Sequence, residues 1–257
     1  MRETAILERD LTRALEEIRP ADEERMAQAR RHWDAVAKPL HGLGLLEDVV
    51  VRMAGVAPLG RDLKKAVAAF CADNGVVAQG VTQTDSSVTA VVAGNMLTGK
   101  ASVCCMSRVA GAEVFPVDAG MVTEVEGLRS IKVRRGTRDL SQEPAMTRQE
   151  CLSVLLAGMD IARELSEMGC GLLAAGEMGI GNTTTSSAVA AALLGRPAAA
   201  MPGKGAGLTN EGLRQKSAVI DGALPLHRPD PADPLHLLPN PAAPALPPIT
   251  PPSLACP

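Results

Sequence analysis

Residues 176 to 185 read GEMGIGNTTT, placing three glycines in six positions ahead of an asparagine and three threonines. Glycines let backbone N–H groups come close to an anion, and a helix starting near Asn182 adds unpaired N–H groups and the positive end of its dipole. A phosphate suits such a loop. The spacing is G-x-x-G-x-G without a lysine, neither GxxxxGK[ST] nor GxGxxG, so it specifies neither a triphosphate nor a dinucleotide. The same residues also read as a plain strand-to-helix turn with Asn182 or Thr183 as N-cap, and glycine spacing alone does not separate the two. Glu177 tips the balance. A carboxylate beside an anion site costs electrostatic energy unless it binds a sugar hydroxyl, offsets a developing cation or moves a proton. That combination fits a ribose phosphate reacting at its anomeric carbon.

Such a loop must sit at the end of a strand. Three buried-strand runs are present: KKAVAAFCADNG (64–75), AEVFPVDAG (112–120) and GCGLLAAGEM (169–178). Leu7, Leu11, Leu15 and Ile18, then Met26, Ala29, Trp33 and Val36 beyond Pro20, recur at helical spacing and predict two amphipathic helices forming a cap. Residues 86–110 read as helix interrupted near Gly94 and Gly99. Thr147 and Glu150 form a T-x-x-E capping box opening a helix through Leu165. NTTTSSAVAAALLG is a further helix, and the glycine cluster PGKGAGL (202–208) precedes the one holding Lys216. Strands alternating with helices predict an α/β fold: a doubly wound, Rossmann-like parallel sheet with a small helical N-terminal subdomain. Ligands bind beyond the carboxyl ends of such strands, where ADNGV (72–76) and GEMGIGNTTT both fall. The expected division is a helical segment at 1–60, a nucleotide-binding α/β domain at 61–238, incomplete at its C-terminal side, and a tail at 239–257.

The 257 residues are 46% hydrophobic, enough for a substantial core. Net charge is -3 and only Trp33, Phe70 and Phe115 are aromatic, so the basic footprint and stacking platform of a nucleic-acid binder are missing. The opening MRETAILERDLTRALEEIRP has no apolar signal core, and no later run reaches the roughly 18 apolar residues of a membrane span. A cytoplasmic protein without membrane contact is expected. Six cysteines (Cys71, Cys104, Cys105, Cys151, Cys170, Cys256) form no CxxC pair and read as reduced core thiols. His32, His41, His227 and His236 lack metal-ligand spacing, so no metal is expected.

GEMGIGNTTTSSAV, with CADNGVVAQGVTQTDSSVTAVVAGNMLTGKASV (71–103), FPVDAGM (115–121) and KPLHGLGLLE (38–47), resembles the nicotinate-nucleotide:dimethylbenzimidazole phosphoribosyltransferase family of the cobalamin lower-ligand pathway. The resemblance runs from about Ile18 to about Leu238 and includes RRGTRD (134–139), PAMT (144–147) and PGKGAGL. It implies a cytoplasmic homodimer without cofactor, in which a ring nitrogen of dimethylbenzimidazole attacks the anomeric carbon of nicotinate mononucleotide and nicotinate leaves. The leaving pyridinium departs as a neutral ring, without the pyrophosphate that calls for magnesium. Carboxylates can therefore stand near the ribose and base. By this resemblance Glu177 is such a carboxylate, Gly179, Gly181, Asn182 and Thr183 form the nucleotide-phosphate loop, Gly203 and Gly205 line the same side, and Lys216 reaches the phosphate. Gln83, Ser86 and Ser87 fall in the benzimidazole pocket. Taken without the resemblance, Lys216 reads as an exposed helix lysine and the serines as ordinary caps.

The chain departs from the family at its end. An LGEGTG-like motif, whose glutamate the resemblance makes the principal base, is absent from these residues, and PNPAAPALPPITPPSLACP (239–257) has no charged side chain. Twelve of the nineteen prolines lie from Pro225 onward, which blocks helix and sheet ladders, and a frame shift is the simplest source of such a tail. A noncatalytic nucleotide-binding remnant, or a regulatory partner of an intact homologue, is therefore the alternative to an active transferase. A nicotinamide-dependent dehydrogenase ranks below both, since no strand-following GxGxxG with its later acidic residue is present. Limited proteolysis of the purified chain is expected to remove 239–257 before cutting the core; a tail as resistant as the core would overturn the disordered reading.

Overall fold

The computed structural model describes residues 3–56, 63–230 and 232–237; the proline-rich tail lies outside them. The first helices are α1 (Thr4–Glu16), α2 (Glu23–Ala35) and α3 (Leu45–Val56), and β1 (Lys64–Ala72) follows. Helices α4 (Ser87–Leu97) and α5 (Ser102–Ala110) join β1 to β2 (Ala112–Gly120). A short β3 (Arg129–Ser130), α6 (Arg148–Glu167) and β4 (Cys170–Met178) come next, then α7 (Asn182–Leu194), α8 (Asn210–His227) and α9 (Pro234–Leu237).

All strand pairings are parallel, in the order β3-β2-β1-β4. From β1 the chain moves outward to β2 and β3, then returns to β4 on the other side of β1. The strand order thus reverses beside β1, and the crevice beyond the carboxyl ends of β1 and β4 is where such sheets bind ligands. β1 is covered on both faces, which explains its unbroken apolar run. Ala68, Phe70 and Ala72 pack with Val117 and Ala119 against Val154, Ile161 and Leu165 of α6. Ala69 and Cys71 face the opposite way, onto Ala93 and Met96 of α4 and Cys104 of α5. With so many alanines, the helices lie close and Phe70 supplies the bulk.

The expected strands at 112–120 and 169–178 appear within a residue, but β4 is half-buried to exposed along its length and not the buried strand expected; the two-residue β3 gave no sequence signal. Helix α6 carries the full capping box: Glu150 N donates to Thr147 Oγ1 at 3.1 Å and Thr147 N to Glu150 Oε2 at 2.7 Å. The interruption within 86–110 falls at Gly99, at φ 73°, whereas Gly94 continues α4 unbroken. This matters because Ser87–Ala110 is, by length and composition alone, long and apolar enough to cross a membrane. The break leaves helices of 11 and 9 residues, each short of the roughly 20 that a span needs. At the N-terminus, Leu7, Leu11 and Ala14 of α1 pack on Cys151, Leu152, Leu155 and Met159 of α6, while α2 packs on α3.

All five described cysteines are unpaired; Cys71, Cys104 and Cys151 are buried, but Cys105 is exposed, contrary to a core thiol. Burial pushes the Cys71 and Cys151 thiols up to about 12. Phe70 is wholly buried between β1 and α6. Phe70→Ala is therefore expected to lower unfolding stability by about 3–5 kcal/mol, read from the denaturant midpoint.

Candidate active site at the ends of β1 and β4

The glycine loop lies flat on the end of β1. A Cβ at Gly179 would stand 2.1 Å from the Ala72 carbonyl oxygen, and one at Gly181 would stand 2.9 Å from Val77 Cγ2 and 3.1 Å from Asn74 Cβ. Gly181 also has φ 91° and serves as N-cap of α7, so the turn is not capped by Asn182 or Thr183 as a plain turn would have it. Gly179 is thus required by the strand beneath it and Gly181 by the turn that follows that strand.

Each first-turn N–H has a partner within the loop: Asn182 N donates to Gly179 O at 3.0 Å, Thr184 N to Gly181 O at 2.9 Å and Thr183 N to Asn182 Oδ1 at 2.7 Å. An anion here would exchange with the Asn182 side chain.

A cavity of about 220 Å³ opens beside the loop. Gly179, Gly181, Asn182, Thr183, Gly205 and Gln83 all line it. Val81, Met178, Ile180 and Leu208 give it an apolar wall that sequence reasoning missed; only the position of Met178, last in its strand beside the glycines, hinted at it. The Gln83 side chain is tied to the Gly207 carbonyl, which joins the PGKGAGL segment to the segment after β1. Ser86 and Ser87 do not join Gln83. They line a separate cavity of about 490 Å³ with Asp73, Asn74 and Thr137, because the turn into α4 aims them away. Asp85 Oδ1 accepts from Ser87 N at 2.8 Å, and neither serine side chain caps the helix.

The two charged candidates stand one side chain behind the cavity. Lys216 is 1% exposed rather than an exposed helix lysine, and its Nζ donates to Thr183 Oγ1 at 2.6 Å and to Gly203 O at 3.3 Å. No carboxylate pairs with it among the described residues, and burial lowers its pKa. Glu177, last but one in β4, accepts from Asn182 Nδ2 through Oε1 at 2.5 Å, while its Oε2 is buried without a partner. Burial raises its pKa against the opposing effect of Asn182. A carboxyl so placed is a better proton acceptor than a solvated one, and an ammonium so placed lacks a counter-ion. Among the described residues no group of histidine, cysteine or acidic side chains could hold a metal.

The raised pKa of Glu177 fixes a sign. The folded chain binds this proton more tightly than the unfolded chain, so stability is lost as pH rises through the unfolded value and on to the folded one. Glu177→Gln is expected to be more stable than wild type at neutral pH and equal to it below about pH 4, where both carboxyls are neutral. Denaturant midpoints across pH test this; a variant less stable at neutral pH would mean that the carboxylate has an attractive partner.

A family model described as Phosphoribosyltransferase matches residues 18–245, past the Leu238 limit of the sequence resemblance. The nicotinate-nucleotide–dimethylbenzimidazole phosphoribosyltransferase of Ruminiclostridium cellulolyticum is 40% identical over 231 residues, covering 88% of this chain and 65% of that protein. The protein of the same name from Geobacter sulfurreducens is 41% identical over 233 residues, covering 89% and 66%. A crystal structure of the Thermus thermophilus enzyme of that name superposes with TM-score 0.78 at 40% identity, over 88% of this chain and 68% of that one. The chain thus spans about 65% of the length of the first of these relatives. With its parallel sheet, its glycine loop at the strand-order reversal and this extent of likeness, the chain belongs to the nicotinate-nucleotide–dimethylbenzimidazole phosphoribosyltransferase family.

Proposed function

We propose that the site transfers the phosphoribosyl group of nicotinate mononucleotide to dimethylbenzimidazole, giving alpha-ribazole 5'-phosphate and nicotinate. The observation that carries this reading is Lys216: a buried ammonium with no described carboxylate beside it, bonded to the loop residue Thr183. A phosphate at Thr183 would supply the missing counter-charge. Thr183 Oγ1 accepts from Lys216, so its own proton is free for a phosphate oxygen, and Asn182 would turn from Thr183 N to admit it. The apolar wall of Val81, Met178, Ile180 and Leu208 suits a flat ring.

In the proposed step a benzimidazole nitrogen forms the new bond to the anomeric carbon, the bond to the pyridinium nitrogen breaks, and its electron pair leaves on the ring nitrogen of nicotinate, whose pyridine ring is then uncharged. The azole then gives up its N–H proton. Glu177 stabilises the oxocarbenium-like charge and accepts that proton, for which its burial-raised pKa suits it. We take the active form to be a cytoplasmic homodimer. The division at residue 60 is part of the same proposal, supported by the α2–α3 pairing, with α1 docked on α6.

The chain is expected to bind nicotinate mononucleotide more tightly than nicotinate riboside by calorimetry, and Lys216→Met should remove roughly 10- to 100-fold of that preference, the worth of a charge-assisted hydrogen bond. Product chromatography separates transfer from binding alone. Equal binding of both ligands would remove the phosphate site, whereas tight binding with no alpha-ribazole phosphate would leave a nucleotide-binding chain.

A further inference from the structure

Ile180 lies between Gly179 and Gly181, and its N–H and C=O, which belong to the two successive peptides of this stretch, are both held from outside the loop. Ile180 N donates to Thr89 Oγ1 at 3.1 Å, and Ile180 O accepts from Asn74 Nδ2 at 2.9 Å. Thr89 is fully buried in α4, and Asn74 is 2% exposed at the turn after β1. A loop glycine pair is conformationally free, so the two flanking residues cannot fix these peptides themselves. We propose that Asn74 and Thr89 are positioning residues that clamp the two Ile180 peptides and thereby set the glycine loop for the phosphate.

Several contacts make the clamp specific. Asn74 Oδ1 faces Thr185 Oγ1 of α7 at 3.4 Å, so the Asn74 amide spans the loop and the helix it opens into. Thr89 Oγ1, which accepts from Ile180 N, belongs to a residue with no exposed surface, so this arm of the clamp is shielded from water. Asp73 Oδ2 accepts from Val122 N at 2.8 Å, while Oδ1 is buried without a partner. Asn74 therefore addresses the loop directly from the turn that follows β1. Without the clamp, Gly179 and Gly181 can rotate, and Thr183 no longer keeps its place over Lys216.

The inference rests on the phosphate reading of the loop, and the experiment separates the two. Thr89→Val keeps shape and loses the hydroxyl; Thr89→Ser restores it; Asn74→Ala removes the second arm. The ratio of riboside to mononucleotide dissociation constants is measured by calorimetry for each, with amide hydrogen exchange at Ile180 on the ligand-free proteins. Thr89→Val and Asn74→Ala are expected to lower the ratio about tenfold and to speed Ile180 exchange by at least that factor, with Thr89→Ser close to wild type. A wild-type ratio of one would overturn the phosphate reading and this inference with it. A high wild-type ratio kept by both Thr89→Val and Asn74→Ala, or unchanged Ile180 exchange, would overturn the clamp alone. Asn74→Ala failing to fold leaves the decision to the Thr89 pair.

Discussion

At Gly179 a methyl group would meet the Ala72 carbonyl oxygen at 2.1 Å, and the site follows from that backbone-on-backbone approach. Because the loop after β4 lies directly on the end of β1, its residues cannot carry side chains toward the strand. Since it cannot hold itself by side chains there, its peptides are held by Asn74 and Thr89 instead. The loop then enters α7 at Gly181, which places Thr183 where Lys216 arrives from α8. The central position of β1, buried on both faces, keeps this platform rigid.

Charge is treated differently here than elsewhere in the chain. Three half-buried or buried carboxylates away from the loop have cations: Asp118 with Lys132 at 2.8 Å, Glu47 with Lys38 at 2.8 Å, Glu150 with Arg138 at 2.9 Å. Asp73 and Glu177, each with one buried oxygen lacking a partner, and the unpaired Lys216 all gather at the carboxyl ends of β1 and β4. Burying such groups costs free energy that the packed core must offset. Their concentration at the strand-order reversal marks where stability is given up for a site.

Strands 64–72 and 112–120 were legible because both faces of each run are apolar or small over their buried length, 170–178 by the same residue types although none of its residues is buried, and α6 because its cap is written in two residues. Gly99 was legible as a break and Gly94 was an overreach, since Gly99 takes φ 73° while Gly94 lies inside α4. The two-residue β3 has too little sequence to show a period. In the site, Glu177 and the loop stood out by residue type, but Asn74 and Thr89 did not: their partners are backbone atoms 106 and 91 residues away, a pairing that no local pattern encodes. Ser86 and Ser87 followed Gln83 in sequence yet face another cavity, because three to four residues of turn suffice to reverse a direction.

The loop holds both signs of charge without letting them cancel. Lys216 lies behind Thr183 and Glu177 behind Asn182, two adjacent residues, yet each ionisable group is perturbed by its own burial and not by the other. Had they paired, the ammonium would be neutralised and the carboxylate's pKa pulled down, leaving nothing for a ligand to compensate. In the proposed reaction the substrate is itself dipolar, with an anionic phosphate at one end and a cationic ring carbon forming at the other. A carboxylate in a phosphate loop is then consistent with the chemistry, provided the backbone of the loop keeps it from the lysine, and the clamped Ile180 peptides help to hold that backbone in place.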